Sequence, residues 1–154
     1  MRAILFVCTA NQCRSPVAEM IFREALNQKS GAGHMTVKSA GTWTKSGLKV
    51  APGILSLAQK IGVDLRGFTT TSIEDLQLEA FDWIVVMEKN HKEALDYEHP
   101  ALRNKIHLLT VLAGEYASDI PDPVRMDADN AVRVLVDLQR LVRQVFERVS
   151  EGGI

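Results

Sequence analysis

Apolar residues alternate along this chain between short unbroken runs and longer stretches with a helical period. Ile4 to Val7 is an unbroken run ending at Cys8, the pattern of a strand buried on both faces of a parallel sheet. Ser15-Pro16 then gives a helix start, with Ser15 as N-cap and Pro16 at the first helical position. Val17, Met20, Ile21 and Ala25 form one apolar face of that helix, which is expected to end near Gln28. Gly31 and Gly33 break the chain, and Met35-Thr36-Val37 reads as a second strand leading into Ser39-Ala40-Gly41-Thr42. Pro52 opens a second helix that turns Ile54, Leu55, Leu57, Ala58 and Ile61 inward and stops at Gly62. Asp82 to Met87, with Trp83 in its core, is predicted as a third strand, followed by a helix through Glu93 and Leu95. Ile106 to Leu109 is the fourth strand. The last helix starts near Asp127 or Asp129 and carries Val132, Leu135, Val136, Leu138, Val142 and Val145 inward.

This alternation predicts an α/β fold of three layers, αβα, built on a four-stranded parallel twisted sheet with a phosphate-binding loop after the first strand. Such sheets place ligands at the carboxyl ends of their strands, where Cys8 falls. With 154 residues and no repeat, low-complexity tract or linker, residues 1–154 are expected to form a single domain. The net charge of -1, from 18 basic and 19 acidic side chains, gives no nucleic-acid footprint and no polybasic anchor. Neither nucleic acid nor membrane is expected as a partner. The opening apolar run ends at polar Thr9 and Asn11 with no small-residue cleavage site, and nothing approaches the roughly 20 apolar residues that span a bilayer. A cytoplasmic protein is expected, and any anion selectivity has to be local.

The chemistry concentrates between the first strand and the first helix. Thr9, Ala10, Asn11, Gln12, Cys13, Arg14 and Ser15 follow Cys8 there, and successive N–H groups of such a loop can curl into an anion cradle above the positive end of the helix. Helix terminus, cradle and guanidinium all favour a thiolate, which makes Cys8 the candidate nucleophile. Arg14 can hold two phosphate oxygens with its planar fork, and Ser15 can donate a hydrogen bond to the thiolate. Two cysteines five positions apart are a poor framework for a structural disulfide, so reactive thiols are expected instead. His34, His91, His99 and His107 have no ligand spacing, so neither metal nor cofactor is expected.

Val7-Cys8 through Arg14-Ser15-Pro16 resembles the low-molecular-weight protein tyrosine phosphatase signature, including Asn11 and Cys13. Ser39-Ala40-Gly41-Thr42, Gly62-Val63-Asp64, Phe81 to Met87 and Pro121-Asp122-Pro123 resemble later segments of the same family, so the likeness covers nearly the whole chain. The resemblance implies hydrolysis of phosphotyrosine-type phosphomonoesters on phosphorylated proteins through a cysteinyl-phosphate. Asp122 would be general acid and then base, with Asp119 as rival. Cys13 would be a partner for reversible oxidation of Cys8.

Four positions depart from the family pattern. Val124 stands where phosphotyrosine-specific members carry an aromatic residue, Gln12 where they carry Ile, Ala10 in place of Gly, and Phe68 in place of a His that supports the loop Asn. Ser39 then remains as support for Asn11, and Trp43 is a candidate pocket wall. Gln12 is compatible with phosphoarginine as an alternative substrate. Arsenate reduction lacks the further cysteines it needs, and a phosphate-binding module without turnover is the reading from another class.

Overall fold

In a computed structural model, which describes residues 2–29 and 34–154, four parallel strands lie in the order β2-β1-β3-β4. They are β1 (Arg2–Cys8), β2 (Met35–Gly41), β3 (Trp83–Val86) and β4 (Ile106–Leu108). The helices are α1 (Arg14–Gln28), α2 (Pro52–Gln59), α3 (Lys89–Glu98), α4 (Leu109–Leu112) and α5 (Ala128–Ser150). Single-turn 3-10 segments at Ile73–Asp75, Leu78–Ala80 and Pro123–Arg125 and a longer one at Pro100–Lys105 fill the connections. Among the described residues no helix is long and apolar enough to cross a membrane.

The central strand explains its own unbroken apolar run, because both of its faces are covered. Ile4 and Phe6 point to a layer made by α1, α2, α4 and α5, where Phe22 stacks edge-on against Phe6 and Phe146 with centroids 5.7 and 5.2 Å apart. Leu5 and Val7 point to the opposite layer, formed by α3 with Leu95 and by the turns carrying Ile73, Leu78 and Leu102. Register sets the site: Cys8 pairs with Gly41 at the end of β2, and Val7 pairs with Val86 at the end of β3. The residues that follow three strands therefore meet at one edge of the sheet.

Several expectations change in detail. The first helix begins at Arg14, so Ser15 lies inside its first turn rather than at the N-cap, which is Cys13. Pro16 sits at the third helical position, where its missing N–H is equally harmless. Leu109 opens α4 instead of closing β4. Trp83 is only half-buried, with the Arg2 guanidinium 5.8 Å above its ring. Val136 is 50% exposed, since it lies about 100° around α5 from buried Leu135. Asp127, not Asp129, caps α5 by accepting the Asn130 N–H at 3.0 Å. Gly62 ends the turn after α2 with φ +80, and the next N–H, of Val63, reaches Ala58 O at 3.0 Å. Gly31 and Gly33 lie outside the described residues.

Glu19 is an acid inside this scaffold. It is buried on α1, with Arg23 Nη2 3.7 Å from its Oε1. Burial pushes its carboxyl up to about 7, against the smaller pull of Arg23, the Ser39 N–H and Lys38. The folded protein thus holds a proton that an unfolded carboxyl releases near 4.5, and stability falls as pH rises from there to about 7. Glu19→Gln should remove that slope, gaining roughly 2 to 3 kcal/mol over the parent at pH 8 and almost nothing at pH 4.5. Urea denaturation at the two pH values measures it, and an unaltered pH dependence contradicts it.

Candidate active site

The loop from Cys8 to Ser15 closes around Asn11, which is fully buried and has a left-handed backbone, φ 52. Asparagine is among the few non-glycine residues that adopt this conformation readily. Its carboxamide is fully used: Oδ1 accepts the Thr71 N–H at 2.8 Å, and Nδ2 donates to Ser15 Oγ at 2.9 Å and Ser39 Oγ at 3.0 Å. Ser39 thus supports Asn11 as expected from the sequence. Thr71 supplies a backbone anchor that the sequence did not reveal, while Phe68 is half-buried against the main core. Gly41 backs the loop so closely that a Cβ there would lie 2.7 Å from Thr9 O and 3.0 Å from Asn11 N.

Ser15 connects this frame to the thiol. Its Oγ lies 2.9 Å from Cys8 Sγ and 3.4 Å from Ala40 O, and it already accepts from Asn11. The single hydroxyl proton is thus within reach of both Ala40 O and the sulfur, and a thiolate on Cys8 would draw it to the sulfur. Among the described residues, none of the backbone N–H groups of residues 9 to 15 donates to another protein group, so the cradle's donors remain available to an anion.

Arg14 is buried at the start of α1, and its Nη1 donates to Glu88 Oε2 at 2.9 Å and Ile120 O at 2.7 Å. That anchoring leaves Nε and Nη2 as the free edge of the fork. Glu88 follows Met87 beyond the end of β3, and the Ile120 segment is tied there by its own N–H to Met87 O at 2.8 Å. His91, 6% exposed, places Nε2 2.8 Å from Thr9 Oγ1 and 3.5 Å from Glu88 Oε2. Burial holds this imidazole below its ordinary value, with Glu88 opposing and Arg14 reinforcing the shift. Its Nδ1 has no partner among the described residues, so the proton of the neutral ring belongs on Nε2, facing Thr9 and Glu88. Glu88, His91, Thr71 and Ile120 were missed from sequence. The one signal available was the position of Glu88 just beyond a strand's carboxyl end.

Both cysteines are free and buried. Burial, then the charges of Cys8 and Asp122, push the Cys13 thiol up to about 12, so it stays protonated at neutral pH. Asp122 is exposed and caps the 3-10 turn Pro123–Arg125, its Oδ1 accepting the Val124 N–H at 3.1 Å. Asp119 instead accepts the Lys89 N–H at 2.8 Å. Gln12 reaches the other way, donating to Lys49 O and accepting from the Ala51 N–H, both at 3.1 Å. Trp43 is bound through its N–H to Thr9 O at 2.9 Å while its side chain is 85% exposed; Ala10 and Val124 are also exposed. Among the described residues there is no group of three or more His, Cys, Asp or Glu side chains that could hold a metal ion.

A parallel α/β sheet with a Cys-x5-Arg anion loop after its first strand defines a cysteine-dependent phosphatase. The chain matches the family model for low molecular weight phosphotyrosine protein phosphatase over residues 3–153 and belongs to that family. It is 32% identical over 141 residues to the low molecular weight protein-tyrosine-phosphatase Wzb of Escherichia coli (strain K12), covering 92% of this chain and 90% of that protein. It is 26% identical over 148 residues to the protein-arginine-phosphatase of Bacillus subtilis (strain 168), covering 96% and 97%. The crystal structure of the tyrosine phosphatase Wzb from Escherichia coli K30 in complex with sulphate superposes with a TM-score of 0.82 at 28% identity, over 96% of this chain and 97% of that one.

Replacing Gly41 with Ala should push Thr9 O and the loop N–H groups out of position. Affinity for inorganic phosphate, measured by calorimetry, is expected to fall about tenfold or more with the circular dichroism spectrum retained. Unchanged phosphate binding would show that the loop does not depend on this contact.

Proposed function

We propose that this protein hydrolyses phosphotyrosine on proteins, with Cys8 as nucleophile, Arg14 as phosphate clamp and Asp122 as general acid and base. The phosphate oxygens lie in the cradle of residues 9 to 15 against the free edge of the Arg14 fork. Cys8 Sγ attacks phosphorus in line, forming the S–P bond as the P–O bond to the phenol breaks, and protonated Asp122 gives its proton to the departing oxygen. The Asp122 carboxylate then takes a proton from water, whose oxygen displaces sulfur from phosphorus and releases inorganic phosphate. Charge gathering on the equatorial oxygens meets donors that are already oriented, and this preorganisation lowers the barrier. The Ser15 hydroxyl, 2.9 Å from Sγ, stabilises the sulfur anion both as nucleophile and as leaving group.

The observation that carries the reading is that Cys8, an Arg14 guanidinium with one edge left free by Glu88 and Ile120, and loop N–H groups with no protein acceptor stand together in the one loop from Cys8 to Ser15. The substrate side chain is argued from two neighbours. Gln12 has its amide engaged by the backbone of residues 49 and 51 and so is not left to meet a guanidinium. Trp43 presents an exposed aromatic surface next to Thr9, suited to a phenyl ring.

Steady-state hydrolysis of para-nitrophenyl phosphate in the presence of chelator tests the chemistry. Turnover should vanish in Cys8→Ser and drop on the order of a hundredfold or more in kcat in Asp122→Ala. No turnover by folded, reduced protein would overturn the enzyme reading. Faster release of phosphate from phosphoarginine than from phosphotyrosine peptides would overturn the substrate.

A further inference from the structure

Two exposed lysines stand on the loop 42–51 that follows β2. That loop carries Lys45 and Lys49 and no Asp or Glu of its own, with Asp75 bonded to its Ser46, whereas residues 119–122 carry Asp119 and Asp122 beside Lys89. In the strand order β2-β1-β3-β4, the loop 42–51 after β2 flanks the phosphate loop on one side, and Glu88 with residues 119–122 flanks it on the other.

This loop is held in place. Thr42 N–H donates to Cys8 O and Trp43 N–H to Thr9 O, both at 2.9 Å, and Gln12 clasps Lys49 O and Ala51 N. Farther out, Thr70 Oγ1 donates to Lys45 O at 2.6 Å, and Ser46 Oγ accepts the Ser72 N–H at 2.9 Å and donates to the Asp75 carboxylate, leaving Lys45 and Lys49 as the cations at the loop's rim. Lys45 and Lys49 are exposed, and among the described residues neither forms an ion pair. Trp43 and Leu48, 85% and 47% exposed, accompany them. On the other side Asp119 is bound to the Lys89 N–H and Asp127 caps α5.

We infer that the protein selects phosphotyrosine in a peptide whose acidic residues lie on one side of it, their carboxylates meeting Lys45 and Lys49 while Trp43 covers the intervening chain. This rests on the phosphotyrosine reading above and adds the class of sequence around the phosphotyrosine. The pairs form at an exposed rim, so each is worth a small factor, and two together give about a fivefold to tenfold preference that salt weakens.

Phosphotyrosyl peptides with neutral flanks, with three Glu before or three Glu after the phosphotyrosine, and with Lys in those places test it against para-nitrophenyl phosphate as the reference. One of the two acidic peptides should exceed the neutral peptide about fivefold in kcat/KM, and 0.5 M salt should remove about all of that gain. The double variant Lys45→Glu with Lys49→Glu should lose the gain and favour the Lys-flanked peptide, judged by the ratio of peptide to para-nitrophenyl phosphate turnover. Equal rates for all flanks, a gain from both acidic peptides alike, or a gain surviving the double variant overturns this proposal while leaving the phosphatase reading intact. Turnover of para-nitrophenyl phosphate with none of any phosphotyrosyl peptide overturns the substrate reading and this proposal together.

Discussion

The buried carboxamide of Asn11 is the interaction on which the rest of the site depends. A loop that aims its N–H groups at one point cannot pair them with its own carbonyls, so something outside the backbone has to fix its shape. Asn11 does this from a left-handed conformation, with three hydrogen bonds to Ser15, Ser39 and Thr71 and no contact with water. An unpaired amide buried this deeply would be costly, whereas a fully paired one in a dry environment is rigid. Through Ser15 the same network reaches Cys8 Sγ, so loop shape and the surroundings of the sulfur are set by one side chain.

The positive half of the site is arranged by equally specific partners. Arg14 is buried, and its Nη1 is turned toward Glu88 and Ile120 O, so the opposite edge of the guanidinium is the one free for an oxygen pair. Neutral His91 joins the Glu88 side to Thr9 and thereby couples the end of β3 to the phosphate loop. Family membership is carried by the whole chain.

Much of this was legible in the sequence because the requirements are contiguous there. An apolar strand, a polar turn-rich loop and a proline in the first turn of a helix stand in one stretch from Ile4 to Val17, and the structure forms β1, the loop and α1 from it. The four parallel strands were legible for the same reason, each being a short run bounded by turn residues. Periodicity misled where an apolar residue sits beside the buried stripe, as with Val136 next to Leu135, and where propensity met a competing contact, as with Ser15, whose hydroxyl serves Cys8 instead of the helix end. Glu88, His91, Thr71 and Ile120 were illegible because their partners in the loop are 60 or more positions away, and an isolated Glu or a backbone carbonyl carries no pattern.

A covalent phosphoryl group on sulfur is the intermediate that this arrangement exists to form. The most direct measurement mixes the unaltered protein with para-nitrophenyl phosphate, whose leaving group departs readily, quenches within the first turnover under conditions that keep a thiophosphate ester intact, and maps the modified residue by fragmentation mass spectrometry. The account predicts one phosphoryl group on Cys8 within the tryptic peptide Ala3 to Arg14, and none in Cys8→Ser. Phosphate released without any phosphorylated Cys8, or found on another side chain, would contradict it.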